Sequence, residues 1–268
     1  MFQLYLQSFQ TCRNEDIIIP PSRVIGRREV GRHIKCTSCC NLGMYCSQYY
    51  ICDKMPNKGS VLPRECSEIK GDNLTSGVYN IFPDGRANVV QVYCDMETKN
   101  GSWTVFQRRL NGCTNFIKDW NEYRDGFGNP NREYWLGNEI IHEITSHGNH
   151  ELRIEMTDFD GNLKYAEYRV FGIGDEPDGY PLLIFGYTGT AGDSLYKSMN
   201  NRTSNGVKFT TYDRDNDIYS GNCAMHFSGA WWHTDCHLSN LNGEYIGDIT
   251  STLVMEWNGI LGKETNIL

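Results

Sequence analysis

The chain has 268 residues, 39% of them hydrophobic and 12% aromatic, which suffices for one sizeable globular domain with an appendage, or two modest domains, and excludes a disordered chain. Its net charge of −8 is unevenly spread: residues 1–65 carry 9 basic and 5 acidic side chains, the remainder 16 and 28. An acidic main body lacks the surface needed to neutralise phosphates, so a nucleic-acid role is excluded, and no apolar run approaches the roughly 18 residues of a membrane span.

The opening, MFQLYLQSFQTCRNED, has neither a basic start nor a long apolar stretch and does not read as an intact signal peptide. Six of the eleven cysteines follow within the first 52 residues, at Cys12, Cys36, Cys39, Cys40, Cys46 and Cys52. Cys36-x-x-Cys39 has the spacing of a zinc knuckle, but the gap from Cys46 to Cys52 is too wide for the usual second pair. Disulfides are the favoured reading, and such density belongs to an oxidising, extracellular compartment. Sequons at Asn73, Asn100 and Asn201 point the same way as candidate glycosylation sites. Residues 1–62 are therefore expected to form a cysteine-rich segment, closing at the turn signals of Pro56–Gly59, with the main domain at 63–268.

From residue 63 the pattern predicts an α+β domain of short strands, short helices and long loops. Strand-like runs occur at Gly77–Phe82, Val89–Tyr93 and Trp103–Gln107, and polar–apolar alternation predicts a strand over Glu151–Met156 with a partner over Tyr165–Phe171. Short helices are expected around Trp120–Tyr123 and Gly137–Thr145. The stretch Asp193–Gly247 is rich in Asn, Asp, Gly and Ser and has little periodicity. A loop region of that length inside a domain needs another means of support and is often functional.

Within it, Asp213-Arg-Asp215-Asn-Asp217 places carboxylates at alternate positions, where they can converge on a hard cation such as calcium. An EF-hand is excluded, because Ile218 and Ala224 stand where its Gly and Glu would be required; a solvated acidic turn is the plain alternative. Cys223 and Cys236 bracket a loop whose closure is worth roughly 3 kcal/mol, and Trp231-Trp232 is expected in the core. No nucleophile elbow, zinc-protease or phosphate-loop motif occurs, so the chain does not read as an enzyme. The pair Asp158 and Asp160 is expected to face solvent.

Pro63-Arg-Glu-Cys66, Val92-Tyr-Cys94-Asp-Met, Gly101-Ser-Trp-Thr-Val-Phe-Gln-Arg-Arg109, Tyr123-Arg-Asp-Gly-Phe-Gly128, Tyr134-Trp-Leu-Gly-Asn-Glu-Ile-Ile-His142, Asn222-Cys-Ala and Gly229-Ala-Trp-Trp…Cys236-His together resemble the fibrinogen-like C-terminal domain. The resemblance covers about residues 63–250. It implies a twisted antiparallel sheet with long loops stabilised by calcium and disulfides. Calcium would be held by side-chain oxygens of Asp215 and Asp217 and carbonyls of Tyr219 and Gly221, and the disulfides would be Cys66–Cys94 and Cys223–Cys236.

Among such domains the chain is most similar in function to tachylectin-like lectins and ficolins, whose pocket for N-acetylated sugars lies beside the calcium. That similarity implies a ligand site at Phe227, Asp235, Cys236 and His237. One departure stands out: those lectins end with a tyrosine-bearing strand that completes pocket and sheet, whereas here the chain reads Gly247-Asp-Ile-Thr-Ser-Thr-Leu-Val-Met-Glu-Trp257 and stops at Leu268.

The expected function is a secreted, calcium-containing, lectin-like protein of innate immunity that binds N-acetylated carbohydrate or glycoprotein. The alternative is a protein-binding or structural subunit of a disulfide-linked extracellular assembly. With two pairs assigned, seven cysteines remain, Cys113 among them. An odd number leaves a thiol that is free or bridges to another copy, so a homo-oligomer is expected, with a disulfide link as one means of assembly.

Overall fold

The computed structural model describes residues 2–8, 44–46, 52–54, 62–85, 88–196, 203–236 and 238–245. Apolar and β-branched runs form its strands: β1 (Phe2–Ser8), β2 (Met44–Cys46), β3 (Cys52–Lys54), β4 (Gly77–Ile81), β5 (Val90–Asp95) and β6 (Trp103–Arg109). After these come β7 (Phe127–Gly128), β8 (Tyr134–Trp135), β9 (His150–Thr157), β10 (Leu163–Ile173) and β11 (Leu182–Gly189). Among the described residues, three α-helices accompany them: α1 (Trp120–Asp125), α2 (Asn138–Thr145) and α3 (Cys223–His226).

Nine strands form one antiparallel sheet in the order β11-β10-β9-β1-β6-β5-β4, with β8 joined to β6 and β7 to β8. The fold is of the α+β class expected from the sequence, a large antiparallel sheet with short helices and long loops. By contacts the protein falls into two units, Met1–Phe9 with Pro63–Leu268, and Gln10–Leu62. In the second, the hairpin β2–β3 sets Cys46 opposite Cys52.

The boundary expected at 62/63 needs one correction. Phe2–Ser8, counted with the cysteine-rich segment, lies at the centre of the main sheet, where Leu4, Tyr5 and Leu6 are all buried. Three consecutive buried residues mark a strand covered on both faces, so the strand has no alternation for a sequence reading to detect. The tail beyond residue 245, Cys12, Cys36, Cys39, Cys40, Asn201 and His237 lie outside the described residues.

Sheet and loops share an aromatic core. The ring of Phe209 lies 5.3 Å from Tyr123, 5.1 Å from Trp232 and 6.0 Å from Trp135, with Trp120 stacked on Tyr180 at 5.6 Å. Trp231 and Trp232 are both buried, as expected, and the Trp232 indole N–H donates to the Tyr180 carbonyl at 2.9 Å. Cys66 and Cys94 form a disulfide with Cα atoms 5.6 Å apart, tying the segment before β4 to β5. Among the described residues, no helix is long and apolar enough to cross a membrane.

Candidate functional site

Residues 209–245 contain little regular structure: α3 and one isolated bridge, Thr210 with Trp231. Their backbone is held by side chains from elsewhere. On β6, the Gln107 amide donates to the Leu241 carbonyl at 2.8 Å, and the Arg109 guanidinium donates to the Gly243 and Leu241 carbonyls at 2.9 and 3.3 Å. Burial disfavours the charge on Arg109, lowering its pKa against the pull of Tyr123 and Glu133. Glu133 is buried too. That burial opposes its ionisation, yet four backbone N–H groups, of Leu110, Asn111, Gly112 and Thr114 at 2.7–2.9 Å, outweigh it and lower its pKa.

The acidic stretch splits into two roles. Asp213 is structural: its carboxylate accepts the N–H of Trp120 at 3.0 Å and the Thr211 hydroxyl at 2.7 Å, locking the start of α1 to the loop. Asn216 turns inward, donating to the Phe209 carbonyl at 2.7 Å. Asp215 and Asp217 form the pair that remains. Asp217 accepts the N–H groups of Tyr219 and Cys223 at 2.9 and 2.8 Å, while Asp215 accepts that of Asp217 at 3.2 Å. Desolvation raises the Asp217 pKa, and the neighbouring Asp215 charge adds to the rise. A carboxylate whose charge is opposed by burial and by a second carboxylate beside it is a fitting donor for a divalent cation. No described donor bonds the carbonyls of Tyr219 or Gly221. The residues thus fit calcium, which favours carboxylate and carbonyl oxygen. Among the described residues no cluster of three or more His, Cys, Asp or Glu could hold a metal, so a cation here would rest on two carboxylates plus backbone oxygens.

This loop runs directly into the second disulfide. The Asn222 side chain accepts the Met225 N–H at 2.9 Å and caps α3, while its amide reaches back to the Thr211 carbonyl at 2.9 Å. Cys223 bridges to Cys236, with Cα atoms 5.4 Å apart. The peptide Asp235–Cys236 is cis, and the Ile218 N–H donates to the Thr234 carbonyl at 3.2 Å, joining the acidic loop to the disulfide loop.

Phe227 closes α3 and stands 48% exposed, its carbonyl accepting the Asn240 amide at 3.0 Å. Ile218 and Met225 are each 65% exposed, and Tyr212 and Tyr219 are also exposed. The described members of the expected ligand set, Phe227, Asp235 and Cys236, therefore lie in the loop closed by the Cys223–Cys236 disulfide, to which the acidic loop is joined through the Cys223 N–H and the Thr234 carbonyl. His226 lies over Tyr219, ring centres 6.0 Å apart, at the solvent edge. His233 is instead buried, bonded through Nε2 to the Gly229 carbonyl at 2.7 Å, and burial lowers its pKa to about 4.

The family model for the fibrinogen beta and gamma chains, C-terminal globular domain, matches residues 62–265. This protein belongs to that family. It is 47% identical over 223 residues to fibrinogen-like protein A of Apostichopus parvimensis, covering 81% of this sequence and 76% of that one. It is likewise 47% identical over 186 residues to human ficolin-3, covering 68% and 60%. Among solved structures, the fibrinogen-like globe domain of human ANGPTL6 superposes with a TM-score of 0.64 at 42% identity, over 69% of this protein and 80% of that one. Membership of this family is compatible with extracellular recognition.

Gln107, Arg109, Glu133 and Asn240 were not singled out from the sequence. Their only signal was polar residues inside apolar or loop segments, a pattern shared by many exposed side chains.

Proposed function

We propose that this domain is an extracellular, lectin-like recognition module that binds N-acetylated glycans beside a calcium ion and performs no catalysis. One observation carries the reading: Asp217 accepts the N–H of Cys223, whose disulfide partner Cys236 follows Asp235, while Phe227 ends the same short helix. Cation loop and ligand edge are thus one preorganised body, and little ordering entropy is lost on binding.

In this reading Asp215 and Asp217 give side-chain oxygens to calcium, and Tyr219 and Gly221 give carbonyls. When bound, the cation would neutralise the carboxylate pair and hold the loop in the shape that presents the site. Phe227 offers an apolar wall to an acetyl methyl. The Asp235–Cys236 backbone and His237 would offer polar contacts to its amide. Similarity to ficolin-3 and the three sequons support a secreted glycoprotein. The exposed free thiol of Cys113 supports a disulfide-linked homo-oligomer, in which several weak sites gain avidity.

The second reading, a protein partner, is favoured by Ile218 and Met225. Two large apolar side chains open to solvent, one on the acidic loop and one on α3, exceed what an acetyl cage requires and suit a protein interface. A glycan array separates the two. Binding confined to N-acetylated sugars and lost in Phe227→Ala and His237→Ala supports the lectin reading. Absence of sugar binding by a protein that calcium still stabilises favours the protein partner.

A further inference from the structure

Strand β1 is an interior strand of the main sheet, drawn from the far N-terminal end of the sequence. It lies between β6 and β9, antiparallel to both, and these two strands do not pair with each other. Without β1 the sheet divides into β11-β10-β9 on one side and β6-β5-β4 on the other. Yet β1 comes from outside the family-matched stretch, which begins at residue 62, and the whole of Gln10–Leu62, a unit of its own, separates it from the rest of its sheet.

The contacts of β1 are those of a bound peptide. All seven residues pair with β9, from Phe2 opposite Met156 to Ser8 opposite His150, and five pair with β6. The two faces are read differently. Leu4 and Leu6 are buried on one face. On the other, Tyr5 meets Trp103 edge-on at 5.9 Å and its hydroxyl donates to Glu155 at 3.3 Å, while the Gln7 amide donates to the Gly101 carbonyl at 3.1 Å. Main-chain pairing on both sides gives affinity, and alternate side chains give sequence preference, as when a peptide adds a strand to a sheet.

We infer that the gap between β6 and β9 is a binding site for an extended peptide of the pattern Gln-Leu-Tyr-Leu-Gln, for which residues 2–8 act as a tethered ligand. The tether makes rebinding of its own strand an intramolecular event, so the intact protein excludes a competing peptide. Severing the tether turns the site into an open receptor. The inference does not depend on the glycan reading, because β1 contributes no residue to the 209–245 loop.

The test uses the full-length protein with a specific protease site inserted after Gln10. The folded protein is cut and then mixed with a fluorescent peptide of residues 1–10, followed by polarisation and a thermal melt. The cut protein is expected to take up one labelled peptide per molecule, saturably. A peptide carrying Tyr5→Glu should bind at least tenfold more weakly, and the uncut protein should take up none. As a second arm, the intact Tyr5→Glu protein should regain melting temperature when the wild-type peptide is added. Strand exchange between two copies, seen as dimers that the peptide dissolves, also supports the inference. It is overturned if the cut protein takes up no peptide even at the midpoint of urea unfolding, or if the cut and Tyr5→Glu proteins unfold without rescue.

Discussion

The guanidinium of Arg109, at the end of β6, donates to the carbonyl of Gly243 at 2.9 Å across 134 residues of sequence. This bond and its companion to Leu241 fasten the far end of the candidate binding loop to the central sheet. Its place is fixed by packing as well as polarity, since the guanidinium lies 3.9 Å from the centre of the Phe116 ring. In Arg109→Met, the buried Gly243 carbonyl loses its donor, the Leu241 carbonyl keeps that of Gln107, and Glu133 loses a nearby cation. Unfolding in urea is expected to show a loss of roughly 2–4 kcal/mol, with ligand binding weakened even where the fold survives.

Gly229 permits a close backbone crossing. A Cβ there would lie 2.6 Å from the Gly243 backbone and 2.7 Å from the Asn240 side-chain oxygen. Backbone cannot move aside as a flexible side chain can. Gly229→Ala is expected to destabilise by about 1–3 kcal/mol, and Gly206→Ala, also in a loop, offers a comparison of backbone conformation alone, since its φ is +80° and a Cβ there would meet nothing within 4 Å. Chemical unfolding of both checks the magnitude; a Gly229→Ala protein as stable as wild type contradicts the crossing.

His233 makes stability depend on pH with a defined sign. Its folded pKa is depressed to about 4 by burial, against 6.5 for the ordinary group. The unfolded state therefore binds this proton more readily, and the folded state loses ground as pH falls from about 6.5 toward about 4. The contribution is present above pH 6.5 and amounts to about 3 kcal/mol across that window. In His233→Gln, which retains a donor for the Gly229 carbonyl, urea midpoints between pH 7 and pH 4 should fall less steeply than in wild type. Equal slopes would remove His233 from the explanation.

Calcium should stabilise the protein through Asp215 and Asp217. At a concentration 100 times its dissociation constant, a ligand bound only by the folded state adds about 2.7 kcal/mol. Thermal melts with calcium and with chelator should differ in wild type and coincide in Asp217→Asn and Asp215→Asn. Asp213→Asn should keep the calcium response, because Asp213 is committed to Trp120 and Thr211; its loss there would move the cation to a different set of oxygens.

The strands at 77–81, 90–95, 103–109, 150–157 and 163–173 were legible because each carries a local signal, either an apolar run or an alternation. The helix Trp120–Asp125 was legible in outline, and the structure adds its reciprocal cap between Asp119 and Glu122. Strand β1 escaped because its burial on both faces is imposed by partners about 100 and 150 residues away, and nothing within residues 2–8 records that. The roles of the acidic stretch were only half legible. Alternating carboxylates pointed to a cation, but which of Asp213, Asp215 and Asp217 is committed to protein depends on where Trp120 arrives. The supporting side chains of Gln107, Arg109 and Glu133 were invisible for the same reason: their acceptors and donors are backbone groups, which every residue possesses.

The most direct test of a glycan site at Phe227 and Asp235–His237 is calorimetric titration of the calcium-loaded protein with N-acetylglucosamine. Glucose serves as the control sugar and chelator-treated protein runs alongside. The account predicts binding at millimolar or tighter affinity that requires both the acetyl group and calcium, and that Phe227→Ala abolishes. Absence of heat with N-acetylglucosamine, from a protein whose melting temperature calcium still raises, would contradict the glycan site and leave a protein partner as the ligand of this loop.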